Sequence, residues 1–236
     1  MKPYQQIAID ECGEALVAIP ADIFALEQPH PYQKLGAPYQ ESKVDSPYYL
    51  RQGVIDCLMV AQKRLQQDYP DWRILIFDAY RPVEVQQFMV DFTFAEIAKA
   101  QGYQLPVSED KKQVILEQVY QFWAMPSLDR ATPPPHSTGA ALDVTLVDRQ
   151  NLPIDMGSPI DEISERSYPD YFASSKEPAE QAFHGRRQIL KNAMIAAGFR
   201  QHPHEWWHFS LGDQMWAWSL GEQQGDKQFV ARYGRY

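Results

Sequence analysis

The chain has 236 residues, 44% of them hydrophobic and 22% charged, with a formal net charge of −9. That length supports one sizeable core and is short for two domains, and the acidic balance argues against nucleic-acid binding, whose footprint is basic. Cys12 and Cys57 support neither a disulfide framework nor a cysteine-rich metal site, and Cys57, in an apolar stretch, reads as a small core residue. The opening MKPYQQIAIDECGEALVAIP carries Asp10, Glu11 and Glu14 and no continuous apolar run, so no signal peptide is expected. No stretch approaches the roughly 18 apolar residues of a membrane span. The expectation is a soluble cytoplasmic protein with no nucleic-acid or membrane partner.

No internal repeat or low-complexity linker divides the chain, so residues 1–236 are read as a single domain. Over residues 52–68, Val54, Ile55, Leu58, Met59, Ala61 and Leu65 recur at helical spacing, and Pro70 closes the helix. In "RILIFDAYRP" the apolar run Ile74–Phe77 predicts a buried strand with Asp78 to Arg81 at its end. Residues 83–100 and 111–123 read as helices, the first begun by Pro82. "TPPPHSTGAALDVTLVD" starts as stiff polyproline, Pro133 to Pro135, and becomes a β-branched strand over Leu142–Val147. Residues 149–178 read as a long ordered loop, and residues 179–197 as a helix with Gly198 as its C-cap. This irregular order of helices and strands favours α+β over a doubly wound sheet.

"HPHEWWHFS", residues 202–210, contains H-E-x-x-H over His204 to His208. On a helix that motif brings both histidines to one ion. Here Pro203 precedes it and Gly212 follows closely, leaving about two turns at most, while Trp206, Trp207 and Phe209 favour a strand. In a strand, residues 204 and 208 lie about 13 Å apart, too far for one metal ion. A second element revives the metal reading. His136 and Asp143 stand seven apart in "HSTGAALD", and one further histidine would complete a three-ligand catalytic zinc site with an open position.

Taken in order, "FDAYRP", "HSTGAALDVTL", "DMGSPIDE" and "EWWHFS" resemble the D-alanyl-D-alanine dipeptidases of the VanX type, zinc peptidases related to D,D-carboxypeptidases. The resemblance spans a motif-bearing core of about residues 50–215. It implies a single α+β domain with a central, mostly antiparallel sheet flanked by helices and a zinc site at the sheet's cleft. By position it implies Zn2+ bound by His136, Asp143 and His208, with Glu205 as catalytic base and Arg81 as stabiliser of the oxyanion. Asp161 of "SPID" is implied to grip the ammonium of a small peptide substrate, D-Ala-D-Ala, helped by Tyr39, with Tyr48 or Tyr49 as substitutes. His204 has no ligand role in that family. One departure stands out: Pro134-Pro135 replaces two serines before His136, which removes a hydroxyl near the substrate's amino end.

These residue types suit amide hydrolysis. Zinc lowers the pKa of bound water and acts as a Lewis acid, a glutamate can carry the proton, and a planar guanidinium suits developing negative charge. Because Glu205 and His208 are oddly spaced, Glu205 must sit at a bend before the strand. Trp206 and Trp207 read as packing residues. Asp78 either orients Arg81 or caps the following helix, and His30, His184 and His202 read as surface or turn residues. Two rivals remain: a D,D- or L,D-carboxypeptidase acting on peptidoglycan stem peptides, and a zinc-stabilised interaction domain without turnover.

Overall fold

The computed structural model describes residues 2–42, 44–225 and 229–236. Its strands are β1 (Leu16–Ala18), β2 (Ala25–Leu26), β3 (Tyr49–Arg51), β4 (Arg73–Asp78), β5 (Ala141–Val147), β6 (Arg200–Gln201) and β7 (His208–Ser210). Its α-helices are α1 (Pro31–Lys34), α2 (Gln52–Asp68), α3 (Val83–Ala100), α4 (Glu109–Phe122), α5 (Pro178–Ala196) and α6 (Gln214–Gln224). A five-stranded sheet runs β2-β4-β5-β7-β6, and β1 pairs with β3 apart from it. Within the larger sheet only β2–β4 is parallel, and the other pairings are antiparallel. The α+β architecture expected from the sequence is the one observed. Among the described residues no helix is long and apolar enough to cross a membrane.

Strand alternation divides the work of the sheet. On β4 and β5, Ile74, Ile76, Leu142, Val144 and Leu146 join the main core. There they meet Val54, Ile55, Leu58, Ala61 and Leu65 of α2, and Leu190, Ala193 and Met194 of α5. The stripe read from the sequence is therefore the buried face of α2. A second core packs α3 on α4 through Val85, Met89, Val90, Ile115 and Val119, and it extends to Tyr32, Tyr39 and Trp123.

Register carries the polar side chains to one place. Ile74 pairs with Leu146 and Ile76 with Val144, but Asp78 then pairs with Asp143, so β4 holds one extra residue, a bulge at Phe77. In a straight strand Asp78 would follow Ile74 and Ile76 into the apolar core. The bulge instead sets it beside Asp143, on the face opposite Leu142 and Val144. Asp143 in turn pairs with His208, giving a row Asp78–Asp143–His208 across three strands.

The turn into β5 is equally specific. Pro135–Thr138 form one 3-10 turn, and Gly139 ends it at φ 70°. The proline run is thus used to start the turn that bears His136. Ser137 Oγ donates to Pro134 O (2.7 Å) and Thr138 Oγ1 to Pro135 O (2.6 Å), so both hydroxyls brace the turn. A Cβ at Gly139 would overlap Leu16 Cδ2 of β1. Gly139→Ala should therefore lower stability by about 2–4 kcal/mol, from left-handed backbone strain and overpacking together. Urea unfolding measures this, and an unchanged midpoint would mean that the turn relaxes without cost.

Candidate active site

His136, on the turn, and Asp143 and His208, on adjacent strands, are buried and bring one ligand atom each within 4.8 Å of one another. His136 Nδ1 meets Ala79 O at 2.7 Å. A carbonyl can only accept, so Nδ1 carries the proton and Nε2 presents its lone pair. That lone pair faces His208 Nδ1 at 3.2 Å and Asp143 Oδ2 at 3.4 Å, and His208 Nδ1 lies 3.0 Å from Asp143 Oδ1. Two imidazole nitrogens and a carboxylate converging in this way form a donor set suited to zinc, with one ligand's other nitrogen anchored to a backbone carbonyl.

Glu205 sits at a bend. Pro203-His204 form a turn, Trp206 and Trp207 a bend, and the strand begins only at His208. The H-E-x-x-H segment is not a helix. Glu205 Oε2 lies 3.6 Å from His208 Nδ1, and Oε1 lies 3.8 Å from His202 Nδ1. Burial, then the charges of Asp143 and Asp161, raise the Glu205 pKa well above the usual carboxylate range. His204, the tempting histidine, is exposed and stacks on Tyr168. Trp206 and Trp207 are buried in the main core, and Trp207 also lines the cleft.

Arg81 is fixed on every side. Its Nε and Nη2 both donate to Asp78 Oδ2, at 2.9 and 2.7 Å. Nη1 donates to Gln86 Oε1 at 3.0 Å, and Nη2 reaches Asp143 Oδ2 at 3.3 Å. The guanidinium also lies over Tyr32 and Trp123, 5.0 and 4.9 Å from the ring centroids. Its backbone N–H donates to His136 O (3.2 Å), which joins the end of β4 to the His136 turn. Asp78 thus orients Arg81. The following helix takes no side-chain cap from it, because Pro82 holds that position.

Asp78 gathers residues that the sequence reading did not bring together. His30 Nε2 and Tyr39 Oη each lie 3.1 Å from its Oδ1. Tyr39, expected beside Asp161, is therefore bonded to Asp78, and Tyr32 takes the other position, donating to Asp161 Oδ2 at 2.8 Å. Both tyrosines lie on the Pro-rich segment before β3, where pattern gives no register. His30, expected at the surface, is 2% exposed beneath Tyr32, Tyr39 and Tyr48. His202, also read as a turn residue, lines the cleft, whereas His184 lies half-buried on α5.

Asp161 belongs to the 149–178 loop and has φ 65°, uncommon outside glycine although aspartate tolerates it better than most residues. Arg187 of α5 pins this loop, donating to Met156 O, Tyr168 O and Ser158 Oγ. Burial, then Asp143, push the Asp161 carboxyl up to about 7, against the opposing pull of Arg81 and Tyr32.

For Asp78, burial alone would raise the pKa, but Arg81, then His30 and His136, outweigh it and hold the value at about 2. Set against an ordinary value of 3.8, this ionisation contributes about 2 kcal/mol. Because the folded pKa is depressed, the contribution is present above about pH 4 and is lost as pH falls through about 2. Asp78→Asn should therefore be at least about 2 kcal/mol less stable at pH 7, with the deficit narrowing toward pH 2. A deficit constant across urea titrations from pH 7 to 2 would remove the ion pair from this account.

Comparison with known proteins shows the family. Residues 26–228 match the family profile described as Peptidase_M15, D-ala-D-ala dipeptidase. A D-alanyl-D-alanine dipeptidase of Synechocystis sp. (strain ATCC 27184 / PCC 6803 / Kazusa) is 48% identical over 242 aligned positions, covering 100% of this chain and 97% of the relative. The D-alanyl-D-alanine dipeptidase of Enterococcus faecium is 30% identical over 142 positions, covering 50% of this chain and 67% of the relative. Among solved structures, VanYB in complex with D-Alanine-D-Alanine aligns at TM-score 0.43 and 18% identity, covering 75% of this chain and 78% of that one. The chain belongs to the D-Ala-D-Ala dipeptidase family of M15 peptidases and is a metallopeptidase.

Proposed function

We propose that the chain hydrolyses D-Ala-D-Ala to two molecules of D-alanine, with zinc held by His136, Asp143 and His208. The observation that carries this reading is the convergence of those three ligand atoms within 4.8 Å, flanked by Glu205 and Arg81. When bound, zinc supplies Lewis acidity and lowers the pKa of water at its open position. Glu205 takes the proton of the attacking water and passes it to the leaving amine as the C–N bond breaks. Arg81, already held by Asp78 and Gln86, needs no reorganisation to face the negative charge that develops on the carbonyl oxygen.

Asp161 favours a dipeptide over a longer chain. Tyr32 is its hydroxyl partner, and the substrate's free ammonium would add a charge-assisted hydrogen bond worth roughly 1.5–3 kcal/mol. An acylated or longer peptide offers a neutral amide there. Tyr39 acts elsewhere and at one remove, by holding Asp78 and through it Arg81.

Metal analysis should find one zinc per chain in the wild type, lost in His136→Ala and His208→Ala and kept in His204→Ala. Glu205→Gln should retain zinc and fold but lose most turnover, and full activity in that variant would remove Glu205 from the mechanism. D-Ala-D-Ala should be preferred over N-acetyl-D-Ala-D-Ala by about ten- to a hundredfold in kcat/KM, with the gap narrowed in Asp161→Asn. Equal rates on the two substrates would replace the dipeptidase reading with the carboxypeptidase one.

A further inference from the structure

One arginine and one lysine line the cleft, Arg81 and Lys2. Arg81 is committed to Asp78, Gln86 and Asp143. Lys2 is not: among the described residues it forms no ion pair, and Glu205's own partners within 4 Å are His202 and His208. The segment that carries Lys2 is anchored. Pro3–Gln6 form a 3-10 turn with Tyr4 buried, and Lys2's backbone N–H donates to Gln5 Oε1 at 2.8 Å. Gln214 of α6 then donates to both Ile7 O (2.6 Å) and Ala131 O (2.9 Å), fastening the segment to the rim of the cleft.

Lys2 also lies at a defined end. It lines both the cleft and the adjoining pocket together with His202, and His202 Nδ1 lies 3.8 Å from Glu205 Oε1, whereas Asp161 lines only the cleft and is bonded to Tyr32. Glu205 returns its proton to the leaving amine, so the leaving residue must lie on Glu205's side. In a dipeptide that residue carries a free carboxylate, separated from the amine nitrogen by a single Cα. An unpaired ammonium on that side, partly withdrawn from water, gains more from a carboxylate partner than from solvent.

We propose that Lys2 binds the substrate's free carboxylate and so selects peptides with one residue beyond the scissile bond. Lys2 takes part in no bond making or breaking; its role is recognition. The inference rests on the dipeptide-hydrolysis reading above.

The test uses the zinc-loaded protein carrying all 236 residues, with nothing added before Met1, and compares D-Ala-D-Ala with its C-terminal amide. Lys2→Met should raise KM for D-Ala-D-Ala about tenfold or more while kcat changes less than about threefold, a loss near 1.4 kcal/mol in binding. Kinetics on the amide should be unaltered, and Lys2→Arg should restore most of the affinity for the acid. Calorimetric titration of D-Ala-D-Ala into Glu205→Gln, with and without Lys2→Met, should give the same tenfold loss without turnover. Equal zinc content and thermal midpoint establish that Lys2→Met is folded. Unchanged KM and Kd in Lys2→Met, or an equal loss on acid and amide, would overturn the role of Lys2 and leave the dipeptidase reading standing. A zinc-loaded wild type that neither binds nor cleaves D-Ala-D-Ala would overturn both.

Discussion

Four carboxylates and one guanidinium converge at the cleft, and most of the local structure answers that imbalance. Asp78, Asp143, Asp161 and Glu205 face Arg81, the permanent cation among them. Buried charge without a partner costs several kcal/mol per ion, so the groups divide. Asp78 and Asp143, hydrogen-bonded to Arg81, stay ionised. Those farther from it, Asp161 and Glu205, are pushed toward their neutral forms. A divalent cation at His136, Asp143 and His208, and an ammonium at Asp161, would offset the remaining charge. On the proposed reading, the two positive guests would be a metal ion and an amino terminus.

The sheet makes this arrangement rigid at small expense. β5 sends Leu142, Val144 and Leu146 into the core and Asp143 to the cleft, so the ligand is held by its neighbours' burial. The bulge at Phe77 brings Asp78 into the same row, and the bond from Arg81 N–H to His136 O ties the arginine's backbone to the metal turn. Asp78 is the keystone: Arg81, His30 and Tyr39 all hydrogen-bond to it, and His136 Nδ1 lies 3.3 Å away. Its substitution would disturb Arg81 and the His136 turn together.

Long elements with a clear period were legible in the sequence. The helix over 52–68 matches α2 in full, the strand Ile74–Phe77 lies inside β4, and Leu142–Val147 inside β5. Residues 179–197 became α5 with a one-residue offset, ending beside Gly198 at φ 97°. Strands of two or three residues, β1, β2, β3, β6 and β7, fall below the length at which alternation is visible, and α6 spreads Met215, Trp216, Ala217, Trp218 and Leu220 around most of its circumference, so no apolar stripe stands out. The bend at Glu205 was legible because odd spacing in a strand forbids two residues from sharing a face. His30, Tyr32 and His202 were not, because their partners lie across tertiary contacts that no local period encodes; Tyr32 meets Asp161 from 129 residues away.

The cleft separates chemistry from selection. The groups that would bind metal, move the proton and meet the oxyanion stand on strands or on turns tied directly to them, where packing fixes geometry. The groups that would read the substrate stand elsewhere: Asp161 on a loop pinned by Arg187, and Lys2 on an N-terminal turn pinned by Gln214. Loops accept change more readily than the sheet beneath them, so this division lets substrate length alter without disturbing hydrolysis. A zwitterionic dipeptide presents opposite charges on either side of one amide bond. If Asp161 holds the ammonium and Lys2 the carboxylate, as proposed, recognition of both ends would also set the amide against Arg81 and Glu205.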